Sequence, residues 1–164
     1  MAVTPENRAE LLDLLNKAVA RELQVSIQYM LQHTLLTGGK EAKTDTEPSQ
    51  SKQGKFIGSH SPLWFPGTSL KKIAVTEMRH AEAVAERIVA LEEIPTTQPD
   101  PVAIGDSPTQ MVEINREAEE GAIRLYTQIV DVAKKEGDEV TTKLFQQILS
   151  DEENHLKIFQ DMLQ

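Results

Sequence analysis

An all-α bundle of four long helices is the fold this sequence predicts, and three observations predict it. Apolar residues recur at three- and four-residue spacing through four long segments. No segment sustains the apolar–polar alternation of a half-buried strand. Only seven of the 164 residues are aromatic, so the core must be chiefly Leu, Ile, Val and Ala, as in helical bundles. One domain over residues 1–164 is expected, long enough to bury a substantial core.

The first helix opens at Thr4-Pro5, a capping residue followed by proline at the first helical position. Leu11, Leu15, Ala18, Val19, Val25 and Leu36 carry its apolar face to Gly38-Gly39, a plausible C-cap. The second runs from about Ser69 to Glu93 and is stopped by Pro95. Ser107-Pro108 repeats the cap-plus-proline signal for the third, which continues to about Glu136. Gly137 breaks it, Asp138 can cap the fourth, and so tight a turn makes the third and fourth helices antiparallel neighbours. Each helix is roughly 24 to 33 residues, or ~35–50 Å long.

Two connections are unusual. "IPTTQPDPVAIGDS", between the second and third helices, carries three prolines and is long enough to cross the bundle lengthwise. Residues 38–68, between the first two helices, form a long inserted loop. Its first half, "GGKEAKTDTEPSQSKQGK", is composed like a mobile linker, while "FIGSHSPLWFPGT" holds three aromatics and is expected to dock.

Composition excludes several functions. The chain has no cysteine, hence no disulfide, thiolate metal site or cysteine nucleophile, which suits a reducing cytoplasm. Its apolar runs are too short for a bilayer, so no membrane partner is expected. "MAVTPENRAE" has neither the basic region nor the apolar core of a signal peptide. A net charge of -9 argues against nucleic acid and favours cations approaching from solution.

The chemistry lies in the middle of each helix. Stepping along the seams by threes and fours, the first passes Leu15, Glu22, Tyr29, His33 and Leu36, and the second Ile73, Glu77, His80, Val84 and Ile88. The third passes Val112, Asn115, Glu119, Tyr126 and Val130, and the fourth Phe145, Ile148, Glu152, His155 and Phe159. A glutamate interrupts every apolar seam. In the second and fourth helices a histidine follows one turn along the same face. Each half of the chain thus repeats one pattern: Glu then Tyr seven residues on, followed by Glu-x-x-His.

Burying one unpaired carboxylate costs several kcal/mol, and like charges nearby add to that. Two divalent cations would cancel four glutamates, and two neutral imidazoles would complete the donor set. Oxygen-rich ligation with one nitrogen per metal suits iron or manganese better than structural zinc. Glu22, Glu77, His80, Glu119, Glu152 and His155 are therefore the candidate metal ligands, and they form the only polar layer expected in the core.

With these residues in view, the chain resembles the ferritin-like di-iron carboxylate superfamily, and within it the bacterioferritins, over all four helices but not over residues 38–68. "EMRHAE" (77–82) and "DEENH" (151–155) carry the likeness. The resemblance implies two iron ions per chain bridged by Glu77 and Glu152. Glu22 and His80 would complete one metal, Glu119 and His155 the other, with Tyr29 as a hydrogen-bonding neighbour. Met78 matches the methionine that binds haem b across a two-fold dimer in bacterioferritins; similar strings occur in haem-free relatives, so both states stand. A homo-oligomer, at least a dimer, is implied. Only nine residues follow His155, so the family's short fifth helix is missing and a 24-subunit shell is in doubt. Asp151 precedes Glu152 where Thr76 precedes Glu77, so only one half can reach a neighbouring histidine with an acid.

The function this implies is ferroxidase-type oxidation of Fe(II) by O₂ or peroxide, in iron storage or detoxification. A peroxidase or oxygenase using the same centre on an organic substrate is one alternative. A non-enzymatic helical interaction module is the other, and it predicts no metal. His33 would line an inlet to the centre or simply fill the core.

Overall fold

The computed structural model describes residues 5–38 and 67–164. Apart from its two ends the 38–68 loop lies outside the described residues, as does the expected cap Thr4. The described residues form four helices and no strand: α1 (Pro5–Thr37), α2 (Gly67–Ala90), α3 (Pro108–Glu136) and α4 (Glu139–Met162). The expected boundaries agree to within about three residues, the usual fraying of helix ends. None of these helices is long and apolar enough to cross a membrane.

Local chemistry sets the ends. Ser107 sits in extended backbone and its hydroxyl accepts from Gln110 N, with Pro108 at the first helical position. Gly137 closes α3 at φ 72°, the left-handed conformation that a glycine takes without a Cβ clash. Asp138 then caps α4 by accepting from Thr141 N at 2.9 Å. The same carboxylate accepts from Arg87 Nη2 at 2.7 Å, which ties the end of α2 to the α3–α4 turn.

α1 packs along α2, α3 along α4, and α1 along α3, while α2 and α4 are the most thinly packed of the neighbouring pairs. The segment from α2 to α3 does cross the bundle lengthwise. Thr96 N donates to Asn16 Oδ1, Asp100 N to Ala20 O and Ala103 N to Gln28 Oε1, while Gln32 Nε2 donates to Ile104 O. Those anchors climb α1 in order. Sixteen residues of helix rise ~24 Å, and eight of extended chain reach about the same distance. The crossover is therefore stretched along α1, and α3 begins where α1 ends.

Two apolar clusters fill the core. One gathers around Leu15, Val84, Ile88, Tyr126, Ile129 and Phe145, the other around Val25, Tyr29, Leu70, Met111, Val112 and Phe159. Between them lie the six predicted ligands. They are not the only polar layer, as the seams had suggested. Gln28, Gln32 and Asn115 are also fully buried. Gln28 Nε2 donates to Asn115 Oδ1 at 2.9 Å, and Asn115 Nδ2 to Gln32 Oε1 at 2.7 Å. Both glutamines also bond the crossover, so this second layer fastens three segments together.

Candidate metal centre

The four glutamates are fully buried, and His80 and His155 nearly so, at 6% and 7% exposed. Helical geometry explains their meeting. Residues three apart share a face, so Glu77 with His80 on α2, and Glu152 with His155 on α4, point into the same layer. α1 and α3 run antiparallel beside them and each add one carboxylate.

Glu77 and Glu152 stand between the two imidazoles. Glu77 places Oε2 3.1 Å from His80 Nδ1 and Oε1 3.0 Å from His155 Nδ1. Glu152 places Oε1 3.1 Å from His80 Nδ1 and Oε2 3.5 Å from His155 Nδ1. Each of these carboxylates thus offers one oxygen to each half of the layer. Two groups of convergent donor atoms result, each within 4.8 Å: Glu22, Glu77, His80 and Glu152, and Glu77, Glu119, Glu152 and His155.

The tyrosines cross between halves. Tyr29 of α1 donates its hydroxyl to Glu119 Oε1 on α3, and Tyr126 of α3 donates to Glu22 Oε1 on α1. Each ring rests on a phenylalanine of α4, Tyr29 on Phe159 at 5.5 Å and Tyr126 on Phe145 at 5.2 Å between centroids. The sequence repeat had set Tyr126 in the position equivalent to Tyr29, but only Tyr29 had been expected beside the centre.

Sequence reasoning missed Arg21 altogether. It lies one residue off the seam, yet it is 7% exposed and its guanidinium reaches the carboxylates. Nη1 lies 3.3 Å from Glu22 Oε1 and donates to the Tyr126 hydroxyl at 3.3 Å; Nη2 donates to Glu119 Oε2 at 3.1 Å and to Ala118 O at 3.2 Å. No spacing rule marks such a residue, because a long side chain on a flanking position can curl back to the core.

The expected asymmetry is present. His80 Nε2 lies 3.2 Å from Asp151 Oδ2, whereas Thr76 donates to Lys72 O within its own helix. His33 is half-buried and joins neither donor group. Met78 is 58% exposed on the outer face of α2, away from the layer.

Electrostatics divide the layer by role. Burial pushes Glu22 and Glu119 well above the usual carboxylate range, against the pull of Arg21. Burial acts likewise on Glu77 and Glu152, but the imidazoles beside them outweigh it and hold both below that range. Burial would lower the histidines, yet Glu152 and Glu77 raise His80 to about 11 and His155 to about 9. Burial also works against the Arg21 charge, but Tyr126 and the carboxylates around it hold its pKa well above the ordinary value.

Protein groups alone leave this layer incompletely bonded. Glu22 Oε2 is buried without a partner, and because each imidazole Nδ1 lies 3.0–3.5 Å from both shared carboxylates and cannot align with both, Glu77 Oε1, the two Glu152 oxygens and His155 Nδ1 lack a well-aligned hydrogen bond. A buried acceptor left fully unpaired costs about 1–3 kcal/mol. A pair of cations coordinated by the two donor groups would satisfy these atoms together, and the mix of three carboxylates and one imidazole per group fits iron or manganese.

A family model for the ferritin-like domain matches residues 67–164. The bacterioferritin of Desulfovibrio desulfuricans is 33% identical over 158 residues, 96% of this chain and 76% of that one. The chain belongs to the bacterioferritins of the ferritin-like family. Other bacterioferritins share it at greater distance: that of Streptomyces coelicolor is 28% identical over 155 residues, covering 94% of this chain and 80% of its own. The solved D. desulfuricans bacterioferritin, described with its di-iron site in different catalytic states, superposes with a TM-score of 0.76 at 32% identity over 96% of this chain and 80% of that one. Rhodobacter capsulatus bacterioferritin, solved with a metal-free dinuclear site and haem iron, gives a TM-score of 0.76 over 99% of this chain and 86% of its own. At 24% identity that second likeness speaks for the fold alone.

Proposed function

We propose that this chain is a di-iron oxidase of the ferroxidase kind, oxidising Fe(II) with O₂ or peroxide in iron storage or detoxification. The observation that carries the proposal is the posture of Glu77 and Glu152, each with one oxygen toward each histidine. In this reading those two carboxylates would be shared between two ions. Glu22 and His80 would hold one ion, and Glu119 and His155 the other. Tyr29 and Tyr126 orient the unshared carboxylates through their hydroxyls. Membership of the bacterioferritins, and the di-iron site described for the D. desulfuricans protein, support the same assignment.

Bound iron supplies the redox chemistry. The protein's part is position and charge. Four carboxylates balance two divalent ions, and each imidazole must shed its proton to become a donor. Two ferrous ions give one electron each: O₂ takes both with two protons and leaves as hydrogen peroxide, or peroxide takes them with two protons and leaves as water. Apolar clusters above and below the layer keep bulk water from it.

Anaerobic titration with Fe(II) should end near two ions per chain, and admitting O₂ should then oxidise both without turnover of any organic molecule. No binding would overturn the proposal, and steady turnover of an organic co-substrate would replace ferroxidase by peroxidase or oxygenase. Metal analysis of the purified protein separates iron from manganese. Haem requires a second copy of the chain, because Met78 is exposed on an outer helix face. Soret absorbance that vanishes in Met78→Leu, in a protein at least dimeric in solution, would establish haem there.

A further inference from the structure

Two divalent ions balance the four carboxylates, but they do not balance Arg21. In the proposed centre both imidazoles are neutral donors, and burial pushes the Tyr29 and Tyr126 hydroxyls well above their ordinary value, so both keep their protons. The Arg21 guanidinium is 7% exposed and keeps its charge at any pH at which the protein is folded. It leaves the loaded layer with about one unit of positive charge. Asp151 also touches the layer, but its side chain is 43% exposed beside the outer nitrogen of His80, where water screens it.

The guanidinium has a hydrogen-bond donor to spare as well. Nη1 lies 3.3 Å from both Glu22 Oε1 and the Tyr126 hydroxyl, and Nη2 lies 3.1 Å from Glu119 Oε2 and 3.2 Å from Ala118 O. Four of its five N–H groups are thereby taken. The fifth, on Nε, is buried without an acceptor. A buried charge and a buried donor that lack counterparts are both costly, and one small anion answers both.

We infer that Arg21 makes the layer a receptor for one small monoanion, and so selects peroxide over O₂ as the oxidant. The inference rests on the di-iron reading above and names its oxidant. Peroxide arrives as H₂O₂ and supplies the missing charge by leaving one proton to water and staying as HOO⁻. Two electrons from the two ferrous ions, with three protons, then break its O–O bond and give two waters. O₂ is neutral and brings no charge to the ferrous layer, so Arg21 does not favour its entry. One unit of charge within about 5 Å is worth tenfold or more in affinity even at a high effective dielectric. Hydrogen peroxide left by any reaction with O₂ becomes the preferred oxidant of the next ferrous pair.

Azide, a monoanion that oxidises nothing here, tests the binding half on the Co(II)-loaded chain. Visible absorbance should show one azide per chain, held at least about tenfold more tightly by the wild type than by Arg21→Met. Arg21→Lys keeps the charge and should stay within about threefold of the wild type. Stopped-flow oxidation of the Fe(II)-loaded chain tests the selection. The wild type should react at least about tenfold faster with H₂O₂ than with O₂ at equal concentration, and Arg21→Met should lose most of that ratio. Circular dichroism checks that each variant retains its helices, and Arg21→Gln replaces Arg21→Met if the latter does not fold. Several outcomes would overturn the inference while leaving the metal centre standing: a wild type as fast with O₂ as with peroxide, azide affinity unchanged in the neutral variants, azide bound as weakly by Arg21→Lys as by Arg21→Met, or both oxidant rates falling in equal proportion. Absence of Co(II) binding by the wild type would overturn the metal centre and the inference together.

Discussion

Two polar layers lie within the same core, and they are treated oppositely. Gln28, Gln32 and Asn115 are as buried as Glu22 and Glu119, and they come from the same two helices. The amide layer is bonded through, each side chain donating to or accepting from a named partner, with the crossover completing the set. The carboxylate layer holds five buried atoms without a well-aligned hydrogen bond. A buried amide network rigidifies a fold when it is complete. A buried carboxylate cluster left open is costly unless something else completes it. Burial alone therefore does not mark a functional site; incomplete bonding at equal burial does.

Glu77→Gln should separate the two layers most sharply. It turns one of the two shared carboxylate oxygens into an NH₂ that cannot ligate and removes a charge from both groups, so divalent metal affinity should fall by more than about a hundredfold, while the metal-free protein should melt lower because His80 and His155 lose an ionised partner. Calorimetric titration and a thermal melt on the same sample check both halves.

The pH dependence of the metal-free protein comes next. His80 and His155 are raised to about 11 and about 9 from an ordinary 6.5, so their contribution to stability is complete below about pH 6.5 and is lost as pH climbs through the raised values. Glu77 and Glu152 act at the other end, their contribution present above 4.5 and lost as pH falls. Between about pH 7 and pH 10 the melting temperature should drop by about 10 °C. Apparent metal affinity should rise over the same interval as the imidazoles shed protons more easily. The amide layer does not titrate, so Asn115→Ala should show the same slope.

Asn115→Ala itself should cost about 2–3 kcal/mol, since it leaves Gln28 and Gln32 each short of one buried hydrogen bond. Metal stoichiometry should stay unchanged. The smallest effect belongs to Asp151→Asn, whose side chain is 43% exposed. It should weaken one of the two bound ions by about tenfold and spare the other, because Thr76 offers His155 no equivalent acid.

The helices and six convergent side chains were legible because both follow from spacing. A three-and-four repeat can bury its face only as a helix, and a glutamate on that face is visible as an exception. Arg21 was not legible, because which way a long flanking side chain turns depends on what the neighbouring helix offers. Gln28 and Gln32 were hidden for a related reason. They read as ordinary polar residues of α1 until the crossover lies down beside them and buries them. Asn115 had been visible on the α3 seam, but its partners had not. The 38–68 loop has no period to read, and it lies outside the described residues.

The thin contact between α2 and α4 bears on access to the proposed centre. Of the six side chains in the layer, only the two imidazoles have any exposure, and they belong to the most thinly packed of the neighbouring helix pairs. On the opposite side Arg21 is equally exposed, at 7%, but its positive charge repels a cation. In the proposed centre an ion approaching the carboxylates would meet the histidines first, and its exchange would then depend on how far α2 and α4 part and how readily two rings turn aside.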